Sequence, residues 1–474
     1  MEKTRPRSAT LLESLIPVLL MIFFLGWNVF KYNGSPHIPL IGGTVLASLM
    51  GLRLGYSWRE IENGIIEGIV IALQACLILL VVGMLIGTWI LSGIVPTMIY
   101  YGLQILSPSI FLVATTLICA LVSLATGSSW STAGTVGIAL IGVGQGLGIP
   151  LPMVAGAIIS GSYFGDKMSP LSDTTNLAPA VAGSEMFSHI RHMVYTTGPS
   201  FIIALVLYTL LGLRYGHDSA RLDTIQQILI TLNSNFSTSL ILLIPPALVI
   251  AMVVFRIPAL PALLGGAILG GVLAMIMQGT SLGQVLDVAQ NGYVSQTGVA
   301  AVDNLLSRGG LESMLSTVAL VMCALSFGGA MEHTGMLSVI AGAILRMAKT
   351  TGTLVMSTVL TCITMNVIAP DQYLSIIVPG RMYRDAFIKA GLAPKNLSRC
   401  LEDGGTLSSS LIPWNTGGAY MWATLGVYPF AYLPFAFLNL INPMVSIFYG
   451  FTGITMHKIE NEENDKATEI LTTN

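Results

Sequence analysis

Long apolar runs recur along the whole chain, and most are long enough to cross a lipid bilayer as a helix. Only 9% of the side chains are charged, whereas a soluble domain carries about a quarter, so too few charges are available to cover a water-soluble fold. The runs are continuous rather than alternating, which excludes an outer-membrane barrel. The sequence therefore predicts an all-α polytopic membrane protein. The runs lie near residues 14–31, 38–52, 65–92, 110–126, 194–213, 238–255, 258–278, 311–331, 352–368 and 430–451.

Composition also excludes several classes of function. The five cysteines lie mostly in apolar runs without paired spacing, so neither disulfides nor a zinc site is predicted. A net charge of −2 gives no reason to expect nucleic-acid binding. No combination of nucleophile, base and orienting residue stands out, so we expect neither an enzyme nor an organic cofactor.

The two halves of the chain are similar to each other at a spacing of about 242 residues. Gly93 in GTWILSG matches Gly335 in GAMEHTG. Farther along, GDKMSPLSDTTN at 165–176 falls opposite GGTLSSSLIPWN at 404–415. The chain is therefore predicted to contain two repeats.

Loop charges predict that these repeats have opposite orientations in the membrane. The loop with Arg53 and Arg59 corresponds to an uncharged stretch near 277–284, and the uncharged loop 143–150 corresponds to a basic one at 381–399. Cytoplasmic loops are rich in Lys and Arg, so equivalent loops of inverted repeats should carry opposite bias.

This arrangement predicts about ten crossings with broken helices plus two re-entrant hairpins. Short amphipathic pieces are expected near 94–106 and 336–348, and a loosely ordered tail from about His457. We expect a multi-pass protein of a bacterial cytoplasmic (inner) membrane, with both termini in the cytoplasm. The predicted parts are a cytoplasmic N-terminus at 1–11, repeat one at 12–214, a polar linker at 215–235, repeat two at 236–452 and a cytoplasmic tail at 453–474.

Four polar clusters interrupt the apolar runs, at 127–132, 165–176, 369–372 and 402–415. Broken helices at bilayer depth are tolerated only where they are buried in protein or line a cavity. Their free carbonyl and hydroxyl oxygens suit a desolvated sodium ion, and the two-fold relation should bring both halves' clusters to one region. The candidate ligands are Ser172, Thr174, Thr175, Asn176, Ser408, Ser409, Ser410 and Asn415.

Acidic residues in or beside these breaks sharpen the prediction. An uncompensated charge inside the membrane costs several kcal/mol, so such residues are usually functional. A desolvated carboxylate can hold either a proton or a sodium ion, and this competition would couple the two. We predict Asp173 as the shared carboxylate because it lies within SDTTN, with Asp371 second.

Structural interpretations compete with these functional ones. Asp166 beside Lys167 is equally consistent with a structural ion pair, and Glu402 and Asp403 with a solvated position at the cytoplasmic interface. If the cargo is organic, Ser128 and Ser129, with Asn176 and Asn415, are candidate carboxylate contacts. Trp130 and Trp414 could stack on such a substrate, although aromatic residues beside a break more often only pack.

Three motifs, GSSWSTAGTVG, AGAIISGSYFGDKMSPLSDTTN and HIRHMVYTT, closely resemble the NhaC family of sodium/proton antiporters. The resemblance extends over roughly residues 10–455 and is strongest to the branch that contains a malate/lactate exchanger. It implies the ion-transporter superfamily architecture, with a dimerising scaffold and a mobile transport domain.

Sodium/proton antiport by alternating access, of the elevator type and in a homodimer, is therefore the leading hypothesis, with sodium and protons as coupling ions. The alternative is sodium-coupled transport or exchange of a small carboxylate such as malate or lactate, or of an amino acid. No arginine stands out in the breaks to bind a carboxylate, which favours the cation antiporter. An ion channel is disfavoured because paired broken helices form occludable sites.

Overall fold

Helices make up nearly all of the regular structure. The computed structural model describes residues 6–32, 34–215 and 220–459. Within these ranges the β-structure is limited to two isolated bridges, Tyr293 with Arg308 and Leu392 with Lys458. The first half contains α1 (Leu11–Tyr32), α2 (His37–Arg53), α3 (Trp58–Ile71), α4 (Leu73–Leu91), α5 (Ile94–Ile105), α6 (Pro108–Thr126), α7 (Ser129–Thr132), α8 (Ile138–Gly146), α9 (Leu151–Met168), α10 (Asp173–Ala182) and α11 (Met186–Leu213).

The second half of the chain contains helices α12 to α25. One π-helical turn follows α7 in the first half, and another follows α21 in the second. The second-half helices are α12 (Ala220–Asn235), α13 (Ile244–Val254), α14 (Ala259–Met277), α15 (Leu282–Asn291), α16 (Ala300–Leu306), α17 (Leu311–His333), α18 (Met336–Leu345), α19 (Thr351–Ile368), α20 (Leu374–Lys389), α21 (Pro394–Leu401), α22 (Leu407–Ser409), α23 (Thr416–Leu425), α24 (Pro429–Tyr432) and α25 (Phe437–Thr452). The π-helical turns are Ala133–Gly137 and Glu402–Thr406, and short 3-10 turns occupy Leu240–Leu243 and Leu433–Phe435.

Seven of the described helices are long and apolar enough to cross a membrane, or up to nine spans exist if each of two bent helix pairs counts as one. This confirms the all-α polytopic class, while the number of about ten crossings stays a prediction. The predicted apolar runs outnumber the long apolar helices because some of the runs are broken. The run at 65–92 divides at Ala72, the run at 238–255 follows a 100° bend, and the run at 430–451 bends by 61°. The seven helices are α1, α4, α6, α11, α14, α17 and α19.

Matching glycines turn the chain at equivalent points of the two halves. Gly93 and Gly335 adopt φ angles of 84° and 74°, in the left-handed region that costs other residues about 1–2 kcal/mol. Each lies between a long apolar helix and a short one, α4 and α5 in the first half and α17 and α18 in the second. The short pieces predicted near 94–106 and 336–348 are thus separate helices.

Helix packing is reciprocal between the halves. Helix α3 packs on α17 and α15 packs on α4, while α2 packs on α17 and α14 packs on α4. Likewise α10 packs on α20, whereas α23 packs on the π-helical turn after α7. Two halves related by a two-fold axis require each contact to occur twice with the partners exchanged. The packing agrees with inverted repeats, and the repeat boundaries stay a prediction.

Glycines also allow equivalent close approaches beside the interrupted segments. A β-carbon at Gly165 in α9 would lie 2.4 Å from the carbonyl oxygen of Ala120 and 2.4 Å from the amide nitrogen of Leu124, both in α6. A β-carbon at Gly404 in the second π-helical turn would lie 2.9 Å from the Val359 carbonyl oxygen in α19. The two glycines fall opposite each other in the sequence comparison, so backbone contact holds both breaks against a long helix.

The segment predicted as a polar linker, 215–235, is largely helical, because α12 covers Ala220–Asn235. Residues 216–219 of this segment, like residues 1–5 of the predicted N-terminal part, lie outside the described ranges.

The chain after α25 folds back onto the loop between α20 and α21. The Ala393 N–H donates to the His457 carbonyl at 2.9 Å, and the Ile459 N–H donates to the Gly391 carbonyl at 3.1 Å. The Arg399 guanidinium is buried and donates to the Thr455 hydroxyl at 2.8 Å. The prediction of a loose tail from His457 is therefore wrong for 457–459, since backbone hydrogen bonds fix that segment, and residues 460–474 lie outside the described part.

Candidate ion-binding site

The first break joins Ser129 to Asp166. Gly127 ends α6 with φ 68°, and Ser128 then caps α7 by accepting the Ser131 N–H at 3.1 Å. Ser129 donates its N–H and its hydroxyl to Oδ2 of Asp166, at 3.1 and 2.6 Å. Both side chains are buried. Each of these two hydrogen bonds stabilises the ionised form of the carboxylate, whereas burial opposes ionisation.

The second break, between α9 and α10, uses its polar side chains to satisfy its own backbone. Ser172 caps α10, with its hydroxyl 3.4 Å from the Thr175 amide nitrogen and 3.2 Å from the Thr174 hydroxyl. Thr175 donates to the carbonyls of Asp166 and Lys167 at 3.2 and 3.0 Å. These hydroxyls therefore fix the shape of the break.

The Asn176 side chain, at the exposed side of the second break, also binds the backbone of the break. Its amide donates to the Pro170 carbonyl at 3.0 Å and to the Ser172 carbonyl at 2.7 Å, and the residue is exposed. The amide nitrogen is thus occupied by the backbone of the break, while its carbonyl oxygen is the group that a cation could use.

Asp173, the predicted coupling carboxylate, is exposed at the start of α10. It interacts electrostatically with Asp166 and with the phenol of Tyr373, and Tyr373 also interacts with Asp371. Tyr373 belongs to the second half of the chain, so one aromatic side chain connects carboxylates of both halves. Across the described ranges, no group of three or more His, Cys, Asp or Glu side chains is arranged to hold a metal ion.

Asp371 is buried in the break between α19 and α20. Its Oδ1 accepts the N–H groups of Tyr373 and Leu374 at 2.9 and 3.1 Å, and Oδ2 lies 3.4 Å from the hydroxyl of Thr416. The Thr416 N–H donates to the Pro370 carbonyl at 3.0 Å, which ties this break to the start of α23. Asp371 therefore has a structural role as a helix cap, in addition to any role with ions.

The break between α22 and α23 is held by a chain of amide groups. Asn415 caps α23 by accepting the Gly417 N–H at 3.0 Å and donates to Oδ1 of Asn366 at 2.9 Å. Asn366 donates in turn to the Ser408 hydroxyl at 2.9 Å and to the Gly405 carbonyl at 2.6 Å. Asn366 was not predicted because it lies inside the apolar run at 352–368, although the break at 369–372 begins three residues later.

The two neighbouring serines contact different parts of the molecule. Ser409 donates to Oε1 of Gln372 at 3.0 Å and lies 3.4 Å from the Tyr163 hydroxyl of the first half. Ser410 has its hydroxyl 3.1 Å from the amide nitrogen of Asn439 in α25. Ser409 thus faces the first half, whereas Ser410 faces the packing of α25.

Lys167 does not pair with Asp166. Its ammonium group forms a salt bridge with Asp403, and both side chains are fully buried. Asp403 also accepts from the Thr196 hydroxyl at 3.2 Å and from the Asn442 amide at 2.5 Å. The ion pair between Asp166 and Lys167, one of the two interpretations of the sequence, is therefore not formed. Lys167 joins the two halves instead, and Asp166 faces Ser129.

Glu402 and Asp403 do not lie at a solvated interface, because both are fully buried. They begin the second π-helical turn, which is packed between α9, α19 and α21. Neither oxygen of Glu402 has a hydrogen-bond partner among the described residues. A solvated position was one interpretation of Glu402 from the sequence, although its place at the start of EDGG, in a break, was a signal of burial.

The tryptophans of the breaks are packing residues in this conformation. Trp130 stacks on Tyr420 with ring centroids 4.2 Å apart, and the Tyr420 hydroxyl donates to the Trp130 carbonyl at 2.7 Å. The Trp414 indole donates to the Val367 carbonyl at 2.9 Å and is buried. Of the candidate substrate contacts, Ser128 and Trp130 remain partly exposed, while Ser129 is buried.

Comparison with known proteins identifies the family. Residues 161–454 match the model of the Na+/H+ antiporter family. The chain is 40% identical to the Na+/H+ antiporter NhaC of Alkalihalophilus pseudofirmus, over 98% of this chain and 100% of that protein. It is also 40% identical to the malate-2H+/Na+-lactate antiporter of Bacillus subtilis, over 94% of this chain and 96% of that one.

A third relative is the arginine/ornithine antiporter ArcD of Halobacterium salinarum, 38% identical over 96% of this chain and 95% of that protein. These relatives are antiporters, and they match the chain across both predicted halves. With its apolar spans and this full-length similarity, the chain is a multi-pass membrane protein that belongs to the NhaC-containing Na+/H+ antiporter family.

Proposed function

We propose that this protein exchanges sodium ions for protons by alternating access. The observation that carries the proposal is that Tyr373, from the second half, interacts with Asp166, Asp173 and Asp371, which belong to breaks of both halves. Interrupted helices from two inverted halves are the usual site of ion binding in secondary transporters. The family, and the name of the relative from Alkalihalophilus pseudofirmus, support sodium and protons as the exchanged ions.

Asp173 is the proposed coupling carboxylate. Its side chain is exposed, and it interacts electrostatically with both Asp166 and Tyr373. A sodium ion and a proton would compete for this carboxylate, because each neutralises the same negative charge. Because only one of the two ions can be bound at a time, the carboxylate would carry a sodium ion in one direction and a proton in the other. The ligands proposed around it are the oxygens of Ser172, Thr174, Thr175, Asn176, Ser409, Ser410 and Asn415.

The proposal includes a movement of α6–α11 and α19–α25 against the remaining helices, which would form the scaffold of a homodimer. Helices α6–α11 and α19–α25 together contain all four interrupted segments, which supports their movement as one unit. We further propose a cytoplasmic position for both termini, which is supported by the basic residues at 53–59 and 381–399, where α2 meets α3 and α20 meets α21.

A second candidate is sodium-coupled exchange of a small carboxylate or an amino acid. It is favoured by the names of two relatives, the malate-2H+/Na+-lactate and arginine/ornithine antiporters. A cationic partner inside the breaks would favour binding of an organic carboxylate, but the ammonium group of Lys167 already binds Asp403. Sodium/proton exchange is therefore the better supported function.

Proteoliposomes that contain the purified protein and an internal pH dye provide the test. Proton movement on addition of sodium alone would support the first candidate. If protons move only when malate, lactate or an amino acid is also present, the second candidate is correct.

A further inference from the structure

Glu402 differs from every other carboxylate of the interrupted segments. Its side chain is 0% exposed, and both of its oxygens lack a hydrogen-bond partner among the described residues. The adjacent Asp403 is equally buried but accepts from Lys167, Thr196 and Asn442. Two neighbouring acids therefore have opposite environments, one with three donors and one with none.

The groups around Glu402 come from both halves of the chain. Lys167 and Asp166 approach it from α9, Thr174 from α10 and Thr406 from its own π-helical turn. The thiol of Cys362 in α19 also interacts with Glu402. The Thr406 hydroxyl, like Glu402, is buried and has no partner among the described residues. Glu402 thus borders the Asp166 site, with the Thr174 and Thr406 hydroxyls beside it but neither at hydrogen-bond geometry.

The charges around Glu402 favour its neutral, protonated form over the ionised carboxylate. With all groups ionised, the cluster of Asp166, Lys167, Glu402 and Asp403 holds three carboxylates against one ammonium group, and that ammonium is bound to Asp403. The other buried cation nearby, Arg399 of α21, donates to Thr455. An ionised carboxylate buried without a donor is unfavourable by several kcal/mol, whereas the neutral acid avoids most of this cost. The arrangement fits Glu402 with a proton bound.

We propose that Glu402 is a second proton-binding site of the transporter, distinct from Asp173. It holds a proton in the conformation described here and releases it when a sodium ion binds beside Asp166. The carboxylic acid becomes a carboxylate and one proton leaves while one sodium ion arrives, so the charge of the buried cluster is unchanged. This inference rests on the proposed exchange of sodium for protons, and it places part of the coupling in the second half of the chain.

The test compares Glu402→Gln and Glu402→Asp with the wild-type protein and with Glu62→Gln, which alters an exposed glutamate of α3. Glutamine resembles the protonated acid but cannot release a proton. Two fluxes are measured in proteoliposomes, sodium-driven proton movement and the exchange of radioactive sodium for unlabelled sodium at equal pH on both sides.

We expect Glu402→Gln to lose sodium-driven proton movement while it continues to exchange sodium for sodium. Glu402→Asp should retain both fluxes with a displaced pH profile. In the wild type the half-saturating sodium concentration should change by up to about tenfold per pH unit for each competing proton, and this dependence should weaken in Glu402→Gln. Glu62→Gln should behave as the wild type.

Wild-type proton movement in Glu402→Gln would overturn the proposal, and so would loss of both fluxes in a folded Glu402→Gln protein, which would indicate a structural or sodium-ligand role. If Glu402→Gln does not fold, an unchanged pH profile in Glu402→Asp has the same meaning. A wild-type protein without sodium-driven proton movement would instead contradict the proposed function itself.

Discussion

Ser129 donates both its backbone N–H and its hydroxyl to one oxygen of Asp166, at 3.1 and 2.6 Å. This relationship joins the first interrupted segment to the end of α9. A hydrogen bond to a charged group contributes about 1.5–3 kcal/mol, so the hydroxyl has a measurable effect on the properties of Asp166.

Ser129→Ala should weaken sodium binding about tenfold or more, because the Asp166 carboxylate loses its shorter donor and shifts towards the protonated form. The half-saturating sodium concentration for proton movement measures the effect. Ser107→Ala, which alters an exposed hydroxyl at the start of α6, is the matched control. An unchanged sodium dependence in Ser129→Ala would mean that Asp166 takes no part in sodium binding.

Asp173→Asn should abolish coupled exchange and leave folding intact. Its side chain is exposed, and surface substitutions usually change stability by less than about 0.5 kcal/mol. Thermal unfolding in detergent and proton flux are measured on the same preparation, with the exposed Asp287→Asn as control. Wild-type flux from Asp173→Asn would remove Asp173 from the coupling site.

Two substitutions separate the capping role of Asp371 from its charge. Asp371→Asn keeps an oxygen that can accept the Tyr373 and Leu374 N–H groups, so stability should be nearly unchanged while sodium-driven proton flux falls. Asp371→Ala removes the acceptor and should cost about 0.5–2 kcal/mol in the free energy of unfolding. If Asp371→Asn transports normally, Asp371 is only a cap.

Replacing one member of the Lys167–Asp403 pair should destabilise the protein strongly. Lys167→Met leaves the buried Asp403 carboxylate without its cation, and the loss of one partner of a buried pair costs about 3–5 kcal/mol. The double variant Lys167→Met with Asp403→Asn removes both charges and should recover part of that loss. Melting temperatures in detergent compare the three proteins, and equal values for the single variant and wild type would contradict a buried pair.

Gly165→Ala should disrupt the contact between α9 and α6. The added methyl group would lie 2.4 Å from backbone atoms of Ala120 and Leu124, which cannot move without displacing α6. Gly42→Ala in α2 is the control, because its methyl group would meet nothing within 4 Å and alanine is favoured over glycine in a helix by about 1 kcal/mol. The amount of folded protein recovered from membranes should fall for Gly165→Ala and not for Gly42→Ala.

The features that could be predicted are those that depend on neighbouring residues in the chain. Apolar runs predicted the helical membrane fold, and Gly93 and Gly335 marked equivalent turns because a left-handed residue is a local requirement. Ser172 and Asn415 likewise cap helices within their own breaks.

The features that could not be predicted depend on which distant segments meet. Lys167 stands next to Asp166 in sequence, yet its partner is Asp403 in the other half. Asn366 lies at the end of an apolar run, just before the break at 369–372, but the sequence does not show that its partners are Asn415 and Ser408. The burial of Glu402 follows from several helices of both halves that pack around its turn, and a single sequence contains no record of that packing.

The return of the chain end onto α21 has a practical consequence for protein engineering. A protein shortened after α25 would lack Thr455, whose hydroxyl accepts a hydrogen bond from the buried Arg399 guanidinium. It would also lack His457, whose backbone carbonyl accepts hydrogen bonds from Ala393 and Asn396. Purification tags and fluorescent reporters should therefore be joined beyond residue 459. Shortening the chain before that point would loosen the helix that leads directly into Glu402 and Asp403.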